Sequence, residues 1–443
     1  MAGNTGGGMD PANLSTQRQR IAELARSKPG TALFLLHHVI DLEWMYEACG
    51  LTRQDGATGI DGVTAEAYEA NLEANLLDLL ERIKSGRYKA PPVRRTYIPK
   101  ADGSQRPLGI PTFEDKVAQR AIVMVLEAVY EQDFRACSYG FRPGRSAHDA
   151  LRELYSVITK QGQYWVLDVD IRKYFDSIPH HHLRAFLDQR VTDGVIRRMI
   201  DKWLKAGVLE DGLLQRAAEG TPQGGVISPM LSNIFLHHVL DEWFEDEVRP
   251  RLGGACTLVR YADDFVMTFK THRDAKRVLE VLGKRLERYG LTLHPDKTRF
   301  IDFRPERRDG THPDCHEPPF DFLGFTHTWV KSQKGKNVVR QTTAKSRLVR
   351  ALRGINDWCR QNRHRPIPHQ RDRLGSKLVG HYAYYGITGN LRQLQRYLTQ
   401  VKRIWRKWLA RRTRSKPLTW ADFNVLLARH PLPKARIILR YAT

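Results

Sequence analysis

The chain is poor in cysteine, has no long apolar run, and in its last quarter has almost no acids. Cys49, Cys137, Cys256, Cys315 and Cys359 are its five cysteines in 443 residues. They are scattered and no pair has zinc-finger spacing, which argues against a disulfide scaffold or a zinc module and suits a reduced cytoplasm. No run approaches a membrane span; Ala32–Ile40 is too short. The glycine-rich start (Gly3, Gly6, Gly7, Gly8) lacks the hydrophobic core of a signal peptide. Residues 331–443 hold 28 Lys/Arg against 3 Asp/Glu, a balance of +25, whereas residues 1–330 hold 44 against 46, a balance of −2. A region so short of acids binds polyanions by neutralising phosphates and releasing counterions. Basic helices also serve membrane surfaces. Aromatics interleaved with the charge, Trp405 and Trp408 within Lys402–Arg412, favour nucleic acid, although at least one of these tryptophans is expected to pack between helices. With 41% hydrophobic residues, the length supports two to three folded units.

What the chain does have is carboxylates in apolar strands. In Thr257-Leu-Val-Arg-Tyr-Ala-Asp-Asp-Phe-Val-Met-Thr-Phe269, two apolar runs flank Asp263-Asp264, the pattern of a hairpin with paired acids at its tip. Adjacent carboxylates in such a place call for a neutralising divalent cation. A second acidic strand lies upstream, Tyr164-Trp-Val-Leu-Asp-Val-Asp-Ile171. Period two puts Val166, Asp168 and Asp170 on one face and Trp165, Leu167, Val169 and Ile171 on the other. If the two elements pair, three carboxylates can hold two Mg²⁺, the arrangement that joins a primer 3′-hydroxyl to a nucleotide phosphate. Periodicity alone does not separate Asp168 from Asp170. His180-His181-His182 follows Pro179 at a helix start, and consecutive helical residues share no face, so the run is not read as a metal site.

These strands belong to an ordered series of motifs. Thr58-Gly-Ile-Asp-Gly-Val63 comes first, then Tyr97-Ile-Pro-Lys-Ala-Asp-Gly-Ser-Gln-Arg-Pro-Leu-Gly-Ile-Pro111 and Tyr139-Gly-Phe-Arg-Pro-Gly-Arg-Ser-Ala-His148. After the Asp170 strand come Gly220-Thr-Pro-Gln-Gly-Gly-Val-Ile-Ser-Pro229, the Tyr261 hairpin, Leu293-His-Pro-Asp-Lys-Thr298 and Phe322-Leu-Gly-Phe325. The series spans about residues 55–390 and resembles a bacterial reverse transcriptase/maturase encoded by a group II intron, of the compact type without a C-terminal endonuclease. The resemblance implies an α+β right-hand polymerase of fingers, palm and thumb, with an antiparallel palm sheet and a mainly helical, basic C-terminal region.

The resemblance also implies roles. Asp170, Asp263 and Asp264 would be catalytic, with metal held at Asp170, Ile171, Asp263 and Asp264, and Asp168 a neighbour. The cofactor would be two Mg²⁺, with Mn²⁺ able to substitute. Lys100 and Arg106, flanking a turn between two extended runs, would reach triphosphate oxygens. Phe175 would pack against C2′ of the incoming nucleotide and exclude a 2′-hydroxyl, favouring dNTPs. Gln223, in a loop too rich in glycine and proline to continue a helix or strand, would lie under the nascent pair. Lys297 would protonate departing pyrophosphate. Arg142 and Arg145, beside Tyr139 and Phe141, would contact the template. Lys402, Arg403, Arg406, Lys407, Arg411 and Arg412 would contact RNA or DNA.

The expected division is an N-terminal extension and start of fingers (1–96, with an amphipathic helix over Ala65–Lys84), fingers and palm (97–330), a thumb called domain X (331–390) and a short basic DNA-binding extension (391–443). Helices are expected over Met230–Glu242 with Ser228-Pro229 as cap and first turn, and over Lys345–Gln361, Leu374–Tyr385 and Leu391–Leu409. Arg307–Pro319 is expected as a loop. The implied partners are the chain's own group II intron RNA, an RNA template with DNA primer, a DNA target and dNTPs, with no membrane and with a homodimer allowed. The place of action would be the bacterial cytoplasm, at the nucleoid when acting on DNA. Two other roles fit the same residues: a reverse transcriptase repurposed by its host for defence or repair, and a non-catalytic splicing factor.

Overall fold

The computed structural model describes residues 11–99, 105–210, 213–215, 224–305, 319–412 and 418–440. The chain forms two compact units, one from residues up to Ala150 with Trp165–Ile301, the other from Leu151–Tyr164 with Asp302 onward.

The first unit holds two sheets. β1 (Val93–Pro99) and β2 (Gln105–Ile110) form an antiparallel hairpin with Pro99 opposite Gln105. β3 (Trp165–Val169) belongs to the other sheet, whereas β4 (Val208–Glu210) runs parallel to β1 and pairs with β5 (Leu213–Gln215). β6 (Cys256–Tyr261), β7 (Asp264–Phe269) and β8 (Arg299–Asp302) complete the β3 sheet in the order β6-β7-β3-β8. Both β6 and β3 lie antiparallel to β7, with Tyr261 opposite Asp264 and Val169 opposite Phe265. β3 is therefore interior, not the wet edge its acids could suggest, and Val166, Leu167 and Val169 are buried from both faces. This is the antiparallel palm sheet implied by the motif order.

The helix Phe113–Tyr130 is buried nearly all round, including Val117, Ala121, Ile122 and Leu126, and forms the central post of this unit's core. The expected Ala65–Lys84 helix is two helices, Ala65–Glu69 and Leu72–Lys84. The break is stable because Thr64 caps the first helix and the Asn75 amide donates to the Tyr68 carbonyl at 2.8 Å. The expected 230–242 helix starts at Ser228, with Ile227 as N-cap and Pro229 in the first turn. It continues over His237–Asp241 and Trp243–Val248 in the wider π register.

In the second unit, β9 (Phe320–Phe322), β10 (Phe325–Lys331) and β11 (Asn337–Thr343) form an antiparallel sheet in the order β11-β10-β9. Helices Lys345–Asn362, Ile367–Tyr385 and Leu391–Leu409 follow, then Trp420–Arg429. The middle helix starts seven residues before the expected Leu374, at Ile367, because Pro368 fits a first turn that needs no N–H there. Trp405 and Trp408 both pack inside, donating to Gln370 (2.9 Å) and Asn356 (3.0 Å). Residues 307–318 of the expected loop lie outside the described residues. Cys49, Cys137, Cys256 and Cys359 are buried and unpaired. Among the described residues no helix is long and apolar enough to cross a membrane.

Candidate active site

The two acidic strands meet as neighbours. Asp170 follows the last residue of β3, and Asp263 occupies the two-residue turn between β6 and β7. Burial and the nearby Asp170 charge raise the Asp263 carboxyl above its ordinary value, partly offset by Arg106 and Arg260. Hard oxygen donors repelling one another in a half-buried place fit a divalent cation such as Mg²⁺. Asp264 is exposed at the first position of β7. Asp170, Asp263 and Asp264 do not close into a tight three-donor cage. Among the described residues that grouping is His237, His238 and Glu242, where one carboxylate is held between two imidazoles at 3.4 and 2.8 Å.

Asp168 has another task. It pairs with Arg299 at 2.6 Å, so its charge is already matched within the sheet. Lys297, exposed, reaches the half-buried Asp170 at 3.3 Å. The loop that carries it is pinned by His294 N–H donating to the Asp170 carbonyl at 2.8 Å. Ile171 is buried and bridges to Leu293, so its backbone oxygen is the one donor it could offer a metal. Phe175 is half-buried beside Tyr174, whose hydroxyl is anchored to the Ser232 carbonyl at 2.9 Å. Arg106 stands exposed on β2, near enough for Asp263 to feel its charge. Lys100 and Gln223 lie outside the described residues.

One expected contact needs correction. Arg142 is not free for a template. Its side chain is 4% exposed, paired with Glu131 at 2.9 Å and donating to the carbonyls of Arg135 and Ser138. A guanidinium spent on three partners is a structural tie. Arg412 is exposed and donates to the carbonyls of Arg363 and Arg365. Arg145 is partly exposed over the Tyr139 ring, with one bond to the Ala136 carbonyl. Arg406 stacks on Trp420 at 4.5 Å, and Lys407 and Arg411 lie over Trp408. Arg403 is exposed and Lys402 half-exposed.

The sequence reading missed the support of the Asp263 turn. Ala262 has φ of +59°, a left-handed conformation costly for a residue with a Cβ. Its carbonyl accepts from Arg260 at 3.0 Å. Arg260 is fully buried, and its other donors go to Asp241 (2.7 and 2.5 Å), Asn233 (3.0 Å) and Ser138 (2.7 Å). Asn233 in turn donates to the Gly140 carbonyl at 2.8 Å. Gly140 lies so close that a Cβ there would stand 2.4 Å from the Ala262 nitrogen. The missed signal was a cation inside the apolar run Thr257–Tyr261, which burial makes untenable without an acid. Phe141 carries no signal in the sequence beyond its place beside the arginines. It has φ of +54°, is 55% exposed and leans on Tyr261, presenting an aromatic face beside the turn.

Residues 98–327 match the reverse transcriptase (RNA-dependent DNA polymerase) family. The chain belongs to that family. Protein YkfC of Escherichia coli is 34% identical to this reverse transcriptase over 365 residues, 74% of this chain and 92% of that one. Group II intron-encoded protein LtrA of Lactococcus lactis is 39% identical over 179 residues, 40% of this chain and 30% of LtrA. A 91 kDa protein in the cob intron of Schizosaccharomyces pombe is 42% identical over 168 residues, 38% of this chain and 20% of that one. The reverse transcriptase is thus an RNA-directed DNA polymerase related to intron-encoded proteins, of a family that works with divalent metal ions and nucleic acids.

The raised Asp263 pKa has a testable sign. A proton competes with the cation, so the Mg²⁺ concentration for half-maximal activity should climb as pH falls, starting above the ordinary Asp range. In metal-free protein the same group works the other way. Its contribution to stability is full below the ordinary pKa and is lost as pH rises through the raised one. Activity titrations and metal-free melting curves across this window check both. A metal requirement that does not vary with pH would remove Asp263 from the cation site.

Proposed function

We propose that this enzyme polymerises DNA on an RNA template with Mg²⁺ held by Asp170 and Asp263, and that it also binds its own group II intron RNA, promotes its splicing and copies it by target-primed reverse transcription. The observation that carries the polymerase part is the pairing of those two carboxylates at adjacent strand ends, with Lys297 and Arg106 close by. Bound there, divalent cations activate the primer 3′-hydroxyl and offset the charge of the leaving pyrophosphate. Asp264 assists from the exposed side of the turn. Arg106 and Lys100 steady the triphosphate, and Gln223 supports the nascent pair. Lys297 gives a proton to a pyrophosphate oxygen. The intron part is supported by the likeness to LtrA and by the 28 cations of residues 331–443. Lys402, Arg403 and Lys407 on the helix Leu391–Leu409, and Arg411 just beyond its end, carry part of that charge.

Phe175 selects the sugar. Its half-buried ring is held by Tyr174 and can fill the space beside C2′. Phe175→Val should admit ribonucleotides, raising their use relative to dNTPs by about tenfold or more, as ~1–3 kcal/mol of pocket discrimination allows. Primer extension with competing rNTP and dNTP measures it. Equal discrimination in the variant would return Phe175 to the core. For the intron part, RNA co-purified with the protein from its host is sequenced. A transcript that surrounds the gene and folds as a self-splicing intron supports the maturase role. A different RNA, or none above background, moves the enzyme to a host-repurposed role.

A further inference from the structure

The polymerase body carries nearly balanced charge, yet one groove on it does not. The groove lies between the π-helical segment ending at Val248 and the helix His272–Arg288, encloses about 400 Å³, and is lined by Arg251, Arg277, Lys284, Arg285 and Arg288 against a single acid, Glu247. Arg277, Lys284 and Arg288 are spaced by seven and four residues, so they fall on one line along the helix, over roughly 16 Å at 1.5 Å per residue. The same helix turns Ala275, Val278, Leu282 and Leu286 inward, which fixes the cationic line outward.

Two acids behind the groove are already taken, and Glu280 and Glu287, exposed on the same helix, do not line it. Among the described residues, Glu245 is paired with Arg249 and Glu242 with His238, while Arg277, Lys284 and Arg288 are in no ion pair. Arg285 is set rigidly, donating to the carbonyls of Val239 (2.9 Å) and His238 (3.1 Å) and lying over Trp243 and Tyr289. An anion entering here meets a preset guanidinium on an apolar floor, flanked by unspent cations. Four of the five cations are arginine, whose planar fork matches phosphate oxygens two at a time.

We propose that this groove is an RNA-binding site that takes a run of phosphodiesters along the Arg277–Arg288 line, separate from the Asp170–Asp263 centre. It rests on the reading that the chain handles RNA. The charge favours a polyanionic strand over a lipid surface, because the apolar floor is recessed and Val281 is its exposed apolar contribution.

The test uses the full chain and a thiouridine-labelled RNA template annealed to a DNA primer, with a long single-stranded overhang. Photo-cross-linked peptides should come from 243–252 or 272–288. The triple variant Arg277→Glu, Lys284→Glu, Arg288→Glu should lower the slope of log affinity against log salt by about 2, at ~0.7 per phosphate contact on a single strand. A triple Gln variant serves if the Glu form fails to melt cooperatively. No cross-link in these segments together with an unchanged slope overturns the site. Sedimentation of wild type but not variant with phosphatidylserine vesicles, at unchanged RNA affinity, overturns it in favour of a membrane. Incorporation of dNTP on a short saturating primer–template reads the polymerase separately, so loss of that activity in wild type would strike the enzyme reading and leave the groove test intact.

Discussion

Asp263→Ala should stop dNTP incorporation while leaving RNA retention in place. The side chain supplies one of the two half-buried carboxylates at the strand ends, and no neighbouring acid can take its place: Asp168 is paired with Arg299 and Asp264 is exposed. Losing a metal ligand at a phosphoryl-transfer centre costs several kcal/mol of barrier, so a loss of roughly 10³-fold or more in rate is expected, ~4 kcal/mol. RNA retention should persist because the basic C-terminal quarter does not depend on this turn. The variant should also melt no lower than wild type without metal, since it removes a carboxylate that burial and Asp170 both disfavour. Single-turnover extension, filter binding and metal-free melting together decide the matter. Joint loss of extension and RNA retention in a well-folded variant would sink the separation of the two activities.

The second large effect is expected at a residue that touches no substrate. Arg260→Met leaves Asp241 fully buried with no cation, and breaking such a pair from one side costs about 3–5 kcal/mol. That is a large share of a typical domain's ~5–15 kcal/mol. Adding Asp241→Leu removes the stranded charge and should recover most of the melting temperature. The double variant still lacks the donor to the Ala262 carbonyl, so the turn holding Asp263 loses its clamp. Its Mg²⁺ requirement should rise, and incorporation should fall by tenfold or more at ~1.4 kcal/mol per decade. A merely structural Arg260 predicts recovery of both stability and metal affinity. Mg²⁺ titration of the double variant separates these outcomes.

The parts legible in the sequence were those where chemistry forces residue type and spacing together. Asp170 and the Asp263 turn stood out because acids in apolar strands need a reason. The palm hairpin was legible from its alternation, and the C-terminal cations from their imbalance. Arg260 was less legible although it lies within the same motif. Its partner Asp241 is on a helix whose approach only the fold determines. Arg142 misled for the opposite reason. A cation among aromatics looks like a nucleic-acid contact, yet its ring partner is Phe134 and its acid Glu131, neither in the motif that drew attention. The Ala65–Lys84 region kept helical periodicity across a break because Ala70 and Asn71 disturb register, not hydrophobic pattern.

The approach of Gly140 to the Ala262 amide has an experimental corollary. In a library holding every single substitution in this chain, selected only for DNA synthesis, position 140 should return glycine alone. A single methyl there would push directly on the backbone that aims Asp263. Such a blank column would mark a point where tolerance is set by the distance between two main chains and owes nothing to any side chain's chemistry.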